Sequence, residues 1–323
     1  MEQSYNPPFS INSDILNLVA SISESLGALS DVSAPIHLRK DNKIRSIHSS
    51  LAIENNSLSL DQVSAIIGGK KVLGLKREID EVKNAYACYG LIPSLSPNNI
   101  SDLLKAHAAM MGGLIENSGK FRTGGVAVYK GEKVVHMAPP AEQVPALVAR
   151  LMDWLKLSDV HPLIKSCVFH YEFEFIHPFA DGNGRMGRFW QSLILSKWNK
   201  IFSYLPIETV IYENQQEYYR VLNAADTLGD STQFVEFMLK ALKKALRQFV
   251  MPAASPTSEF IEKLVKAVGS REMSATEIMA KLKLKSRANF RKNYLVPALE
   301  GKFIVPTSAI KNNPRQKYRL ANR

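Results

Sequence analysis

Cysteine is nearly absent from this chain: Cys88 and Cys167 are the only two among 323 residues. Two thiols cannot form a disulfide framework or a four-cysteine zinc site, and their scarcity fits a reducing compartment. No apolar run approaches the roughly 18–20 residues that span a bilayer. The opening MEQSYNPPFSINSD also has no basic stretch leading into an apolar segment. A cytoplasmic protein without a membrane partner is therefore expected. Internal repeats and low-complexity tracts are missing, and strand-like sequence is scarce before residue 250. These gaps leave a folded, mainly helical chain.

The apolar fraction is 46% and the charged fraction 22%, both ordinary for globular proteins. The length suits two or three domains at roughly 100–200 residues each. The net charge of +11 is unevenly spread. From Glu259 to Arg323 there are 15 Lys and Arg against 5 Glu, leaving 26 basic and 25 acidic residues before them. A balanced body thus carries a basic module suited to an acidic partner.

Apolar residues recur at three- and four-residue intervals along the body, as in Ile15, Leu18, Val19, Ile22 and Leu26, and again in Ile79, Val82, Ala85 and Tyr89. This spacing predicts amphipathic helices there and over 101–117, 141–157, 162–176, 185–198, 215–227 and 231–249. The exception lies between Gly125 and Met137, where VAVY and KVVHM flank Lys130 and Gly131 as in a short hairpin. The stretch MPAASPTS from Met251 to Ser258 reads as a linker. Beyond it come a helix, a second helix opened by the capping box Ser274-Ala275-Thr276-Glu277, and a third over about 286–299. Strands over 303–307 and 316–320 around KNNPR complete a helix-turn-helix with a β wing. The expected division is 1–100, a helical region; 101–250, a catalytic core; 251–258, a linker; and 259–323, a winged-helix domain.

The chemistry is concentrated in His177-Pro178-Phe179-Ala180-Asp181-Gly182-Asn183-Gly184-Arg185-Met186-Gly187-Arg188, which joins two predicted helices. Gly182 and Gly184 let the backbone turn and present N–H groups at a helix start, where an anion is favoured. Arg185 and Arg188 share a helix face and suit neighbouring phosphates. Asp181 offers a hard oxygen beside them, as Mg²⁺ uses when it takes one carboxylate plus substrate phosphates. His177 is the nearby group able to take a proton near neutral pH. Together these residues point to phosphoryl or nucleotidyl transfer to a hydroxyl. Zinc is not expected, because the spacing of Cys167, His170 and His177 gathers no ligand shell.

The same run resembles the Fic family signature H-P-F-x-(D/E)-G-N-G-R-x-x-R at every fixed position. The resemblance implies an all-α Fic core with a hairpin flap, transferring AMP from Mg-ATP to a Ser, Thr or Tyr hydroxyl of a target protein and of itself. It makes His177 the general base and Asp181 the Mg²⁺ ligand. Glu54, Gly182, Asn183, Gly184, Arg185, Met186, Gly187 and Arg188 fall on the ATP-binding side. Tyr218, Tyr219, Leu222 and Asp226 lie on the helix that usually lines the adenine pocket, with Tyr219 the candidate contact. The hairpin after Arg122 is similar to the flap that pins a target by strand addition. Ser50-Leu51-Ala52-Ile53-Glu54-Asn55-Asn56 resembles the inhibitory motif (S/T)-x-x-x-E-(G/N)-N, which implies that Ser50, Glu54 and Asn56 hold the enzyme off, with Glu54 paired to Arg188. Other nucleotide donors, and AMP removal, stay open. The basic tail resembles winged-helix domains. Arg287, Asn289, Arg291 and Lys292, with Lys311, Arg315 and Lys317, suit DNA, and protein contact or a homodimer is the alternative.

Overall fold

The computed structural model describes residues 5–27, 29, 36–130, 133–250, 256–269, 271–284, 286–301, 303–308 and 316–321. The chain divides into two compact units, Met1–Arg247 and Gln248–Arg323. The first is built from α1 (Ser13–Gly27), α2 (Ile36–Ile53), α3 (Leu60–Ile67), α4 (Lys76–Gly90) and α5 (Ile100–Met111). The antiparallel hairpin β1 (Ala127–Lys130) and β2 (Lys133–Met137) follows. After it come α6 (Val144–Leu157), α7 (Pro162–Ile176), α8 (Asn183–Trp198), α9 (Ile207–Glu213), α10 (Gln215–Leu228) and α11 (Thr232–Val250). The mainly helical class with one hairpin agrees with the sequence. Helix α5 is shorter than expected, stopping at Met111 because Gly112 and Gly113 follow.

Helix α7 is buried on nearly every side: Leu163, Ile164, Cys167, Val168, Phe169, Tyr171, Phe173 and Ile176 all belong to the core. Its sequence has no polar stripe, as expected of a central helix. It packs most extensively on α8, whose Met186, Phe189, Trp190 and Leu193 are fully buried. Cys167 and His170 belong to this core; His170 meets Gln191 at 2.8 Å and Tyr218 at 3.1 Å. The turn from α7 to α8 is therefore fixed by two buried helices.

Helix α2 is fastened to this body by polar contacts along one side. The buried Glu208 of α9 accepts hydrogen bonds from Ser46 at 2.7 Å, Tyr89 at 2.7 Å and Ser192 at 3.1 Å. Asn42 donates to the Tyr204 carbonyl at 2.9 Å. A buried carboxylate with three donors is satisfied, so α2, α4 and α8 share one rigid joint. That joint aims the end of α2 at the start of α8.

The second unit contains α12 (Pro256–Val268), β3 (Met273–Ser274), α13 (Ala275–Lys281), α14 (Arg287–Phe290), α15 (Val296–Glu300), β4 (Ile304–Pro306) and β5 (Lys317–Leu320). A π turn over Arg291–Leu295 joins α14 to α15. The strands form an antiparallel sheet in the order β3-β5-β4 over a core that includes Leu264, Val268, Ile278, Phe290 and Ile304. Ser274 and Glu277 make the reciprocal capping box. Helix α12 starts within the expected linker, since proline suits a first helical turn. The rest of that linker, and Lys311 and Arg315, lie outside the described residues. No helix among the described residues is long and apolar enough to cross a membrane.

Candidate active site

The loop between α7 and α8 is held by backbone-directed bonds before any ligand is considered. His177 caps α7 in the left-handed region, φ 50°. Arg122, only 5% exposed, donates from Nε to the His177 carbonyl at 2.7 Å and also to the carbonyls of Gly124, Pro139 and Ile176. Asn183 folds back on Phe179, accepting its N–H at 2.9 Å and donating to its carbonyl at 2.8 Å. His107 stacks on the Phe179 ring at 3.6 Å between centroids. It accepts the Gly119 N–H at 2.8 Å and donates to the Asp181 carbonyl at 3.0 Å. Gly182 then turns the chain with φ 85°, a conformation that other residues adopt at a cost.

This loop opens onto a cleft of about 380 Å³. It is lined by Glu54 at the end of α2, by Glu174, His177, Gly184 and Arg188 of α7, the loop and α8, by Tyr218, Tyr219, Leu222 and Asp226 of α10, and by His136 of β2. The first intrahelical bond of α8 runs from the Met186 N–H to the Gly182 carbonyl. The N–H groups of Asn183, Gly184 and Arg185 thus precede the ladder and form an anion-favouring helix start.

Glu54 occupies that start. Helix α2 ends at Ile53, and Asn55 takes φ 67° while the Asn56 N–H returns to the Leu51 carbonyl at 3.1 Å. This left-handed stop projects the Glu54 carboxylate onto Arg188, with Nη2 to Oε1 at 2.7 Å. A β-carbon on Gly184 would collide with Glu54 Oε1 and lie 3.1 Å from Arg188 Nη1, so the carboxylate rests directly on the first turn of α8. Arg188 also donates from Nε to Ser50 Oγ at 3.1 Å and from Nη2 to the Ser50 carbonyl at 3.0 Å. The carboxylate contact is single, not the two-point pairing that Arg–carboxylate geometry allows, and Ser50 supplies the rest. The Arg188 side chain is 1% exposed and that of Glu54 32%. Burial opposes the Arg188 charge, but Glu54 and Glu174 outweigh it and hold the guanidinium pKa up.

Other expected site residues are placed differently. Asp181, half-exposed, accepts from Arg185 at 3.1 Å, from the Gly182 N–H at 2.6 Å and from Arg77 of α4 at 3.3 Å. Arg185 turns away from the cleft toward Asp181 and Glu81, the latter at 3.4 Å, and its buried Nε has no partner. Asn56 also faces α4, donating to Glu81 at 2.8 Å and to the Glu78 carbonyl. Met186 is fully buried and Gly187 packs under Glu174 and His170, so neither side of those two residues reaches the cleft. Tyr219 lines the cleft, with its hydroxyl donating to the Ile53 carbonyl at 3.3 Å.

His177 Nδ1 lies 3.2 Å from the Glu174 carbonyl, which only accepts, so Nδ1 carries the proton and Nε2 is the free base. Burial first, then the charges of His136 and Arg122, bring its pKa down to about 4. The imidazole is neutral at physiological pH. Titrating the ring by NMR is expected to show a midpoint well below the ordinary 6.5; an ordinary midpoint would contradict this environment. Glu174, pushed by burial to about 7, has one buried carboxylate oxygen without a partner.

Two family models match the chain: Fic/DOC family over residues 97–195, and Filamentation induced by cAMP protein Fic-like, C-terminal domain, over 259–321. The crystal structure of a Fic family protein from Desulfovibrio desulfuricans G20 is 49% identical, covers 99% of both chains and superposes with a TM-score of 0.75. The chain belongs to the Fic family. A Fic-1 fragment from C. elegans superposes with a TM-score of 0.62 at 25% identity, covering 75% of this chain and 74% of its own. Among curated Fic relatives, Protein adenylyltransferase fic-1 of Caenorhabditis briggsae is 30% identical over 74% of this chain and 48% of its own. Protein adenylyltransferase Fic of Drosophila willistoni is 28% identical, over 85% and 55%. This Fic chain thus spans about half the length of the curated relatives it matches.

Sequence reasoning missed Arg122, His107, His136 and Glu174 of the Fic site. Arg122 and His107 act on backbone carbonyls and amides, which leave no trace in residue identity. Glu174 sits three residues before His177, and its burial follows from the absence of a polar stripe on α7.

Proposed function

We propose that this Fic chain is a protein adenylyltransferase that transfers AMP from ATP to a hydroxyl of a target protein, and that Glu54 holds it off. The observation that carries the reading is the Glu54 carboxylate resting on Gly184 and Arg188, an anion placed where a phosphate would be bound. The names of the curated relatives point to the same transfer. In the reaction, a Ser, Thr or Tyr oxygen attacks the α-phosphorus, His177 Nε2 takes the hydroxyl proton, and pyrophosphate leaves. The N–H groups at the start of α8 and Arg188 stabilise phosphate charge. Tyr218, Tyr219 and Leu222 offer the base a flat apolar wall. Hairpin β1–β2, beside His177, supplies an edge for an extended target segment.

The residues fit Mg²⁺ in its substrate-bridging mode. Asp181 is a single, half-exposed carboxylate beside the phosphate seat, while no group of three or more metal-binding side chains exists among the described residues. A bound Mg²⁺ would neutralise phosphate charge, with Asp181 as its protein ligand. Asp181→Ala is expected to weaken Mg²⁺-dependent ATP binding at least about tenfold while metal-free binding changes little. Unchanged Mg²⁺ dependence in calorimetry would reject the role.

The reaction class is tested with ATP labelled at the α- or the γ-phosphate. Label should reach protein from the α position only; γ-label on protein would replace adenylyl transfer with phosphorylation. A second reading concerns Gln248–Arg323, where Arg287, Asn289, Arg291 and Lys292 are all exposed on one helical stretch of a winged-helix-like unit. We assign this face to duplex DNA. A complex that weakens steeply with salt would support it, and salt-insensitive self-association would assign the unit to a homodimer instead.

A further inference from the structure

Strand β2 is fastened to the helical body at one side chain. His136 Nδ1 lies 2.6 Å from Asp226 Oδ2 on α10, and its Nε2 lies 2.8 Å from the Phe175 carbonyl at the end of α7. A carbonyl only accepts, and so does an ionised carboxylate, so two such short bonds require both ring nitrogens to donate. The ring is therefore an imidazolium. Asp226 is held from its other side, since Oδ1 accepts the Tyr171 hydroxyl at 3.1 Å. The His136 and Asp226 side chains are 10% and 20% exposed, which strengthens a charge-assisted bond relative to one in open water. Among the described residues, the further titratable groups facing His136 are Glu174 on α7 and His177, whose ring centroid is 6.4 Å away.

We propose that His136 is a positioning residue whose charged ring latches the hairpin to α7 and α10, so that the flap is held beside His177 only while that ring is protonated. The purpose assigned to the flap rests on the adenylyl-transfer reading; the latch does not. Burial alone would lower the His136 pKa, but the bond to Asp226, its charge, the Phe175 carbonyl and Glu174 outweigh it and leave the pKa raised. A raised histidine pKa means that the stabilisation is fully present below the unfolded value and is lost as pH rises through the folded one. The latch therefore opens on the alkaline side. The same positive charge adds to the burial that keeps the His177 ring neutral.

The test measures the latch and the chemistry separately in the full chain. Amide hydrogen exchange over 127–130 and 133–137, corrected for intrinsic rates, is expected to show protection that falls at least about tenfold between pH 6.5 and pH 9. In His136→Gln, protection should be low and independent of pH; in His136→Lys, which keeps a cation, it should persist at pH 9. In Asp226→Asn, the His136 midpoint should fall below that of the parent, because burial is then opposed only by the Phe175 carbonyl and Glu174. Parent-like protection and pH dependence in His136→Gln, or an unmoved His136 midpoint in Asp226→Asn, would overturn the latch. In the Glu54→Gly background, transfer to a protein target should lose its alkaline decline in His136→Lys. A flap that responds as described without any label transfer would leave the latch standing and end the adenylyl-transfer reading.

Discussion

Replacing Glu54 by glycine is expected to raise AMP transfer on the order of a hundredfold or more, with strong self-modification where the parent shows little. Arg188 is 1% exposed and is engaged by Glu54 and Ser50, so its contact with a phosphate requires the carboxylate to leave. The carboxylate also lies on Gly184, where an incoming phosphate would meet a like charge. ATP bound against that charge has its α-phosphorus displaced from the line of attack, and a misplacement of about 1 Å costs on the order of a hundredfold in rate. Removing a partner from a fully buried pair destabilises by roughly 3–5 kcal/mol. The loss here should be smaller, because Glu54 is 32% exposed and Ser50 keeps two bonds to Arg188. Saturating ATP should recover it by mass action. Labelled-ATP assays decide the point: equal rates in parent and Glu54→Gly would end the inhibitory reading, and a Glu54→Gly, Arg188→Ala double variant as fast as the single one would show that Arg188 is not the released group.

Much of this site was legible because its chemistry is contiguous. His177, Gly184 and Arg188 sit within one turn and the helix after it, so sequence spacing nearly determines their arrangement. Glu54 was legible for a different reason. Ser50 and Glu54 are one turn apart, and Asn55 tolerates the left-handed stop that aims the carboxylate. Asp181 and Arg185 show what such reasoning leaves out. Both belong to the signature, yet their side chains in this structure answer to Arg77 and Glu81, about a hundred residues earlier on α4. Nothing in the local pattern announces that pairing. Met186 and Gly187 fall on the helix face that α7 covers, so membership of the motif did not bring them to the cleft.

The helices that escaped notice did so for physical reasons as well. Helix α9, IETVIYE, is rich in β-branched residues that favour strands in isolation, and it is helical here because α2 packs on it and Glu208 anchors it. Helix α3 is only eight residues long, too short for a periodic pattern, and depends on the Ser59–Gln62 capping box. His136 looked unremarkable because its partners lie 39 and 90 residues away in sequence, on α7 and α10. The alternation of a hairpin says which residues share a face, and not which helix that face meets.

Removing the His177 imidazole is expected to abolish transfer, by on the order of 10²–10⁴-fold, while ATP binding stays within a few fold. The ring contributes a proton acceptor through Nε2 and nothing in its position makes it a phosphate donor, since Nδ1–H is committed to the Glu174 carbonyl. The choice of substitution matters, because His177 sits at φ 50° and alanine there carries a left-handed strain of roughly 1–2 kcal/mol. His177→Asn avoids most of that cost, and the grip of Arg122 on the residue 177 carbonyl is a backbone contact that survives the change. Comparing His177→Asn with His177→Ala in the Glu54→Gly background therefore separates lost chemistry from a disturbed loop. Both should lose transfer alike, and both should bind ATP in calorimetry. The pH profile adds an independent check. On the acid side, with the His177 pKa brought down to about 4, the parental rate should hold down to pH 6 and decline as the ring is protonated below that. Transfer by His177→Asn within tenfold of the Glu54→Gly parent would remove His177 from the role of base.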